Sequence, residues 1–308
     1  MFHFTTKKKY LLISAVGFLM ITSGVIMRLP FWISGPRTKR LKIHKTSSFP
    51  SARNLDNPAE SILSVMTLNT AHGAGNSFTP LFKRTRTVRD NIDRIANVIR
   101  ERRPQFVALQ ETDGPSFWSG NFDHVAMLAE KSGFQRHVRA EQVSGLGLQY
   151  GTACISNLPV RDAISHTFSP APPVFCKGCT IATVSWPNHP DRTIDVVSVH
   201  LDCIRASVRR SQARELVDLL AQQERPLVVT GDFNCGWDEE NSALRLLTEA
   251  LELKAYRAEK EGLGTFPASG KRLDWILLSP ELIFQSYTVL PDRISDHKAV
   301  LCQIKWAG

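Results

Sequence analysis

The chain has 308 residues, of which 43% are hydrophobic and 22% are charged. This composition excludes a collagen-like, coiled-coil, largely disordered or polytopic membrane protein, and the length suits one large domain or two small ones. The formal net charge of +9 is of the sign that nucleic-acid binding requires. However, residues 1–60 carry +8 of that charge and the other 248 residues carry +1, so the body of the protein is close to neutral.

Residues 10–27 form an apolar segment without formal charge, and it follows a short basic N-terminus, residues 1–9, that contains three consecutive lysines. As a helix the segment would be roughly 27 Å long, which is just enough to cross a bilayer core. We therefore predict an N-terminal transmembrane anchor. A cleavable signal peptide is the first alternative, although no small-residue cleavage site follows, and a buried core helix is the second.

Residues 28–60 are rich in basic residues, proline and serine and lack apolar periodicity, which predicts a tether between the anchor and a folded domain over residues 61–308. More cations follow the apolar segment than precede it, and by the positive-inside rule this favours a cytoplasmic domain. A bare N-terminal anchor, however, usually exports the domain attached to it. We expect a single-pass membrane protein whose folded domain lies on the exported side.

From residue 62 onward, strand-like and helix-like patterns alternate, which is typical of an α/β fold. Helices are predicted over residues 88–102 and about 207–223. Strands are predicted over residues 62–68, 106–109, 194–199, 227–230 and 299–304. No internal repeat is visible.

Polar side chains of types that bind metals or transfer protons end several of these strands. The carboxyl ends of strands are where α/β sheets place ligands. Two further segments contribute a carboxylate on an apolar strand, which is costly without a partner, and an Asp-His pair before the last strand. The set suits a hard, oxygen-liganded cation such as Mg²⁺ beside imidazoles, and it comprises Asn69, Glu111, His200, Asp232, Asn234, Asp274, Asp296 and His297.

These residues lie in motifs whose order and spacing resemble those of the endonuclease/exonuclease/phosphatase superfamily, the group of deoxyribonuclease I. The similar segments are residues 68–69, 109–111, 151–160, 199–201, 231–234, 273–276 and 295–297. The resemblance covers roughly residues 62–305. It implies a four-layer α/β sandwich, in which two packed β-sheets are flanked by helices, of the compact bacterial type.

The resemblance also implies a role for each residue in an Mg²⁺-dependent phosphodiesterase, with Mn²⁺ as a possible substitute. Glu111 would hold the metal with Asn69 beside it, and Asp296 would complete the metal side. Asp232 would align or deprotonate the attacking water, and Asn234 would help to orient the water and the phosphate. Finally, Asp274 would fix the tautomer of His297, and His297 and His200 would stabilise charge on the scissile phosphate.

The predicted substrate is a phosphoester, and the sequence says less about which alcohol is esterified than about the phosphate chemistry. We expect a nuclease first, and phospholipid, sphingomyelin or phosphoinositide headgroups are the alternative. A non-catalytic phosphate-binding module is a second alternative. His200 stands where the family's apurinic endonucleases resemble one another in having tyrosine, which argues against abasic-site repair. A local basic segment (Lys83, Arg84, Arg86 and Arg89) is either a phosphate-binding patch or a solvated helix face. We expect the folded domain to be monomeric.

The six cysteines allow three disulfides in an oxidising compartment, and buried free thiols are the alternative. Cys176 and Cys179 are closely spaced, but no second pair of zinc ligands accompanies them. Cys203 and Cys235 follow two strands that a single crossover helix joins, and such strands are commonly neighbours. We therefore predict a disulfide or a close thiol pair between these two residues.

Overall fold

Two mixed β-sheets form from the fifteen strands in the parts of the chain that this computed structural model describes, residues 34–35, 37–46, 61–77 and 83–307. In spatial order, the first sheet contains β1 (Thr38–Arg40), β8 (Val160–Thr167), β9 (Gly178–Trp186), β10 (His189–His200), β11 (Leu227–Asp232), β13 (Asp274–Leu278) and β12 (Lys254–Ala255). The second contains β14 (Leu282–Val289), β15 (Val300–Trp306), β3 (Leu63–Asn69), β4 (Phe106–Asp113), β7 (Leu148–Ser156), β5 (Arg136–Arg139) and β2 (His44–Lys45), and β6 (Val143–Gly145) pairs with β7.

Helices cover the outer face of each sheet. The second sheet packs against α1 (Thr85–Arg102) and α2 (His124–Ser132), and the first packs against α3 (Ala206–Leu220) and α4 (Ala243–Ala250). In α1 the residues that pack on the sheet include Val88, Ile92, Ile95 and Ile99, which recur every three or four residues and so share one face. Helix α1 begins three residues before the predicted start at residue 88, and α3 ends three residues before the predicted end at 223.

The main core lies between the two sheets, where apolar side chains of both inner faces interdigitate. Helix, sheet, sheet and helix thus succeed one another, and the expected α/β sandwich of two packed sheets with helices is confirmed. The predicted transmembrane anchor, residues 10–27, lies outside the described residues. Within the residues that are described, no helix is both long and apolar enough to cross a bilayer.

The segment 37–46, which we call the strap, joins the edges of both sheets. Its β1 pairs with β8 in one sheet and its β2 pairs with β5 in the other. Between them, Leu41 and Ile43 pack against the core that separates the sheets. The structure therefore differs from the sequence prediction, which assigned these residues to the tether over 28–60. Two apolar residues among many basic ones are too few to produce a detectable periodicity.

All six cysteines are free, so the predicted disulfide between Cys203 and Cys235 is wrong. The two side chains face different surroundings. Cys203 is exposed in the loop after β10, whereas Cys235 is buried in the core beneath α4, with its Sγ 3.9 Å from Oγ of Ser242. Strand adjacency brings the two loops to the same end of the sheet, but one side chain is exposed and the other is buried in the core.

Candidate active site

Three adjacent strands of the first sheet place three polar residues side by side. The parallel pairing of β10 with β11 puts His200 directly opposite Asp232, and the antiparallel pairing of β11 with β13 puts Asp232 opposite Asp274. All three side chains are buried. A site therefore begins at the end of this sheet where β10 and β11 terminate, as the sequence predicted for strand ends.

Asp232 is the centre of the site. Its Oδ2 accepts a hydrogen bond of 3.0 Å from Nδ2 of Asn69, which comes from β3 of the other sheet, and its Oδ1 accepts one of 3.0 Å from the backbone N–H of Asn234. Nε2 of His200 lies 3.6 Å from Oδ2, and Nε2 of His297 lies 3.8 Å from it. Burial raises the pKa of Asp232 to about 7, so this carboxylate is a stronger proton acceptor than an exposed one.

His297 is oriented by the carboxylate of Asp274. The distance from Nδ1 of His297 to Oδ2 of Asp274 is 2.8 Å, and the backbone N–H of Asp274 donates to Oγ1 of Thr265 at 3.0 Å. Burial alone would lower the pKa of His297, but the charges of Asp274 and Asp232 raise it well above its ordinary value. The imidazole is therefore held as a cation whose Nε2–H faces Asp232.

Glu111 faces the same space from the second sheet. The pairing of β4 with β7 shifts register between Leu109 and Thr112, and Glu111 adopts a left-handed conformation with φ of 49° at this bulge. Bulges commonly redirect a side chain next to an active site. Asn234, with φ of 51°, is the second predicted site residue in this conformation, and its Nδ2 donates to the carbonyl of Leu201 at 3.0 Å.

One lysine and two histidines surround the carboxylate of Glu111. Its Oε1 lies 3.4 Å from Nζ of Lys177 and 3.7 Å from Nε2 of His200, and its Oε2 lies 3.7 Å from Nε2 of His72. Burial alone would raise the pKa of Glu111, but the charges of Lys177 and His72 lower it far below its ordinary value. Burial and the Lys177 ammonium lower the pKa of His200 well below its ordinary value, so His200 is neutral.

The residues predicted as metal ligands offer the hard oxygen donors that Mg²⁺ prefers. Glu111 and Asp296 are close enough for the charge of Glu111 to add to burial in raising the pKa of Asp296. Two carboxylates that converge in this way are a suitable donor set for a divalent cation, and the residues present therefore fit the metal. A more compact group, Asp232, Asp274 and His297, has its ligand atoms within 4.8 Å of one another, but hydrogen bonds within the group and with Asn69 already account for that proximity.

All eight predicted residues thus lie at the end of the sandwich where β3, β4, β10 and β11 terminate. Three neighbours were missed: His72, Asp113 and Lys177. His72 and Asp113 follow Asn69 and Glu111 by three and two residues, so the strand-end pattern that selected the latter pair could have found them. Lys177 precedes β9, and only the pairing of Gly178 with His200 brings it to the site.

Comparison with known proteins identifies the group to which this architecture belongs. The model of the Endonuclease/Exonuclease/phosphatase family matches residues 66–297. No curated protein sequence matches the chain. Among solved structures, the endonuclease/exonuclease/phosphatase from Beutenbergia cavernae is similar with a TM-score of 0.61 and 20% identity, over 80% of this chain and 72% of that one.

Two further similar structures have more specific descriptions. The mannosyl-6-phosphatase of Bacteroides thetaiotaomicron has a TM-score of 0.57 and 15% identity, over 80% of this chain and 100% of that one. The D. rerio protein TDP2, complexed with a single-strand DNA product, has a TM-score of 0.60 and 14% identity over the same shares. At these identities the likeness extends to the fold alone. With the family model matching most of the folded region, the chain belongs to the Endonuclease/Exonuclease/phosphatase family.

Proposed function

We propose that the protein is a divalent-metal-dependent phosphoesterase that hydrolyses a phosphodiester by direct attack of water. The observation that carries the proposal is the position of the Asp232 carboxylate. It is buried, oriented by Asn69 and the Asn234 amide, and flanked by His200 and His297 within 3.8 Å. A carboxylate in this setting suits a proton acceptor, and its imidazole neighbours suit charge stabilisation.

In the proposed reaction, Asp232 accepts a proton from the attacking water as the water oxygen bonds to phosphorus. The bond from phosphorus to the leaving oxygen breaks in line with the attack, and that oxygen takes up a proton, a role that we assign to the His297 imidazolium. Asp274 supports this step because it orients the ring and keeps Nδ1 bound while Nε2 gives up its proton. The products are a phosphomonoester and an alcohol.

Neutral His200 and the Lys177 ammonium would bind the non-bridging phosphate oxygens, since both point into the space beside Glu111. Glu111, Asp296 and Asn69 would hold Mg²⁺ or Mn²⁺. When bound, the metal supplies Lewis-acid stabilisation of the negative charge on the phosphoryl group.

Nucleic acid, the substrate class that the sequence analysis placed first, gains little support from the surface. The segment with Arg86 and Arg89 lines a groove between α1 and α2 that also contains Asp90, Asp93, Asp123 and Glu130. In addition, the Arg89 guanidinium lies 4.1 Å from the centre of the Phe122 ring. The groove contains acidic as well as basic side chains, so it lacks the continuous positive potential that binding a phosphate backbone requires.

The test uses the full chain in detergent with Mg²⁺ or Mn²⁺. We expect hydrolysis of bis-p-nitrophenyl phosphate, loss of the activity in excess EDTA, and recovery when metal is added back. Asp232→Asn should lower kcat by at least about 100-fold, as expected for loss of a catalytic proton acceptor. Full activity in EDTA or in Asp232→Asn would contradict the mechanism. Metal-dependent phosphate binding without turnover would favour the non-catalytic module.

A further inference from the structure

Three large hydrophobic side chains are exposed in the described part of the chain, and all three lie on loops around the active site. Phe117 is 58% exposed, Leu146 is 70% exposed and Ile204 is 56% exposed. Phe117 follows β4, the strand of Glu111, and Ile204 follows β10, the strand of His200. Leu146 lies in the turn between β6 and β7. We call these three side chains the apolar rim.

Direct contacts connect the rim to the wall of the site. The backbone N–H of Phe117 donates to the carbonyl of Gly147 at 3.1 Å, which joins the first two rim loops. The ring of Phe117 lies 6.4 Å from that of Trp118, and Nε1 of Trp118 donates to Asp113 at 2.7 Å. Because Asp113 also binds His72 beside Glu111, a continuous chain of contacts links the rim to the predicted metal ligand.

The loop that carries Ile204 is held on the same side of the domain as the other two rim loops. Oδ1 of Asp202 accepts hydrogen bonds from the backbone N–H groups of Ile204 and Arg205, and the Arg205 guanidinium donates to the carbonyl of Ala171 at 2.5 Å. The segment from Ala171 leads to Phe175, whose ring lies 6.3 Å from those of Trp118 and Tyr150. These contacts hold the backbone of the rim loops in place before any partner binds.

The N-terminal segment joins the fold at this same end. Ser34 forms an antiparallel bridge with Val143, and the N–H of Gly35 donates to the carbonyl of Gln142 at 2.9 Å. A Cβ on Gly35 would lie 2.0 Å from the carbonyl oxygen of Glu141, so the backbones approach closely. Val143 packs in the cluster of Trp118 and Tyr150. Ser34 is therefore fixed beside the rim and not at the opposite end of the sandwich.

Chain length then limits how far the rim can be from the predicted anchor. Seven residue steps separate Met27, the last residue of the apolar segment, from Ser34. Even a fully extended chain covers no more than about 25 Å over this distance. With residues 10–27 in a bilayer, the active-site end of the domain is held next to the bilayer surface, and the opposite end, where β2 pairs with β5, is held away from it.

We propose that the apolar rim docks on the lipid bilayer to which the chain is anchored, and that the substrate is a phosphoester in the headgroup of a membrane lipid. This inference rests on the proposed function and names its substrate class. Transfer of exposed apolar side chains from water into the interfacial region of a bilayer is favourable, and the near-neutral body does not oppose the approach. Water adds to the headgroup phosphorus, and the bond from phosphorus to one of its ester oxygens breaks with protonation of that oxygen.

The first test compares two substrates with the full chain reconstituted in phosphatidylcholine vesicles. One substrate is lipid-borne, either sphingomyelin or phosphatidylinositol 4,5-bisphosphate in the same vesicles, and the other is soluble bis-p-nitrophenyl phosphate. Phe117→Ser with Leu146→Ser should lower the ratio of lipid-borne to soluble turnover at least tenfold. Lys45→Ser, an exposed change in β2 at the opposite end, should leave the ratio unchanged. An unchanged ratio in the rim variant, or turnover of plasmid DNA in place of both lipids, would overturn the inference.

A second test does not depend on turnover. With Cys203, the exposed native cysteine, changed to serine, a nitroxide label is placed at Leu146→Cys or at Lys45→Cys in the reconstituted chain. Collision with oxygen, which dissolves in lipid, should broaden the EPR spectrum of the label at position 146. Collision with a water-soluble nickel chelate should broaden the EPR spectrum of the label at position 45. Equal exposure of both labels to the nickel chelate would reject docking even if bis-p-nitrophenyl phosphate is hydrolysed. If docking is seen and no substrate is hydrolysed, the proposed function fails.

Discussion

Nδ1 of His72 lies 2.6 Å from Oδ1 of Asp113, and the other ring nitrogen of His72 faces Glu111. The pair of His297 and Asp274 has the same arrangement, with the other ring nitrogen of His297 facing Asp232. Asp113 is fully buried, and its other oxygen accepts hydrogen bonds from Trp118 and Ser119. Burial alone would lower the pKa of His72, but the charges of Asp113 and Glu111 raise it. The pair therefore carries little net charge and fixes the direction from which His72 faces Glu111.

We expect His72→Asn to weaken metal binding about tenfold, because loss of a group that orients a metal ligand typically has this effect. Asparagine preserves the contact with Asp113 but not the approach to Glu111. His72→Gln, which can reach Glu111, should restore much of the affinity. Isothermal titration with Mn²⁺ measures both variants. His137→Asn changes a histidine that stacks on His44 at the far end of the sandwich and should have no effect. Equal affinities in all variants would rule out the orienting role.

Asp274→Asn should lower the pKa of His297, since the carboxylate is the first of the groups that raise it. Proton NMR of the imidazole in the presence of EDTA measures the shift directly. The folded-state pKa of His297 is raised, so its contribution to stability is present at low pH and is lost as the pH rises through that value. The free energy of unfolding of Asp274→Asn should therefore differ most from that of the unchanged protein at low pH, and the difference should shrink as the pH rises through the pKa of His297. A pKa of His297 that is the same in both proteins would contradict the assignment.

Lys177→Met should strengthen Mg²⁺ binding and weaken catalysis. The ammonium lies 3.4 Å from Glu111 and repels a divalent cation there, and charges at such separations interact by about 4 kcal/mol even in a polar protein environment. We expect at least about tenfold tighter binding with kcat lower by about 100-fold. Lys177→Arg keeps the charge and should retain the weaker metal affinity. Tighter binding in the arginine variant as well would mean that charge is not the cause.

Gly231→Ala should destabilise the fold by about 3 kcal/mol, because strain and overlap combine at this position. The residue has a φ of 143°, and a Cβ would lie 2.0 Å from the carbonyl oxygen of Val199 in the neighbouring strand. Thermal unfolding should show a midpoint lower by roughly 10 °C. Gly236→Ala, five residues further on, adds a Cβ with no atom within 4 Å and should change the midpoint little.

The sequence predicted those parts of the site that depend on strand ends. Asn69, His200 and Asp232 each end an apolar run, and neighbouring strands in one sheet bring such ends together. A carboxylate on an apolar strand needs a partner, which predicts one for Asp274, and this residue lies hydrogen-bonded to His297. The catalytic and metal-binding roles of these residues stay predictions until the variants are measured.

Features that depend on pairing between distant strands could not be predicted in this way. Lys177 reaches Glu111 because Gly178 pairs with His200, a register that no local pattern encodes. The redirection of Glu111 depends on a bulge that forms only against β7. The disulfide prediction failed for a related reason, because strand adjacency places two backbones but does not determine that Cys203 is exposed and Cys235 buried.

The strap imposes an order on folding. Residues 38–40 leave the ribosome early, yet their partners in β8 lie more than 120 residues further along the chain, and the partners of β2 lie about 90 residues away. Because closure of such long loops must wait for the partner strands, β1 and β2 are synthesised first but cannot pair until β8 and β5 have followed. If residues 10–27 enter a bilayer as predicted, they can do so before the strap docks. Docking then covers the edges of β8 and β5 with two short strands, which are poor templates for pairing with other chains.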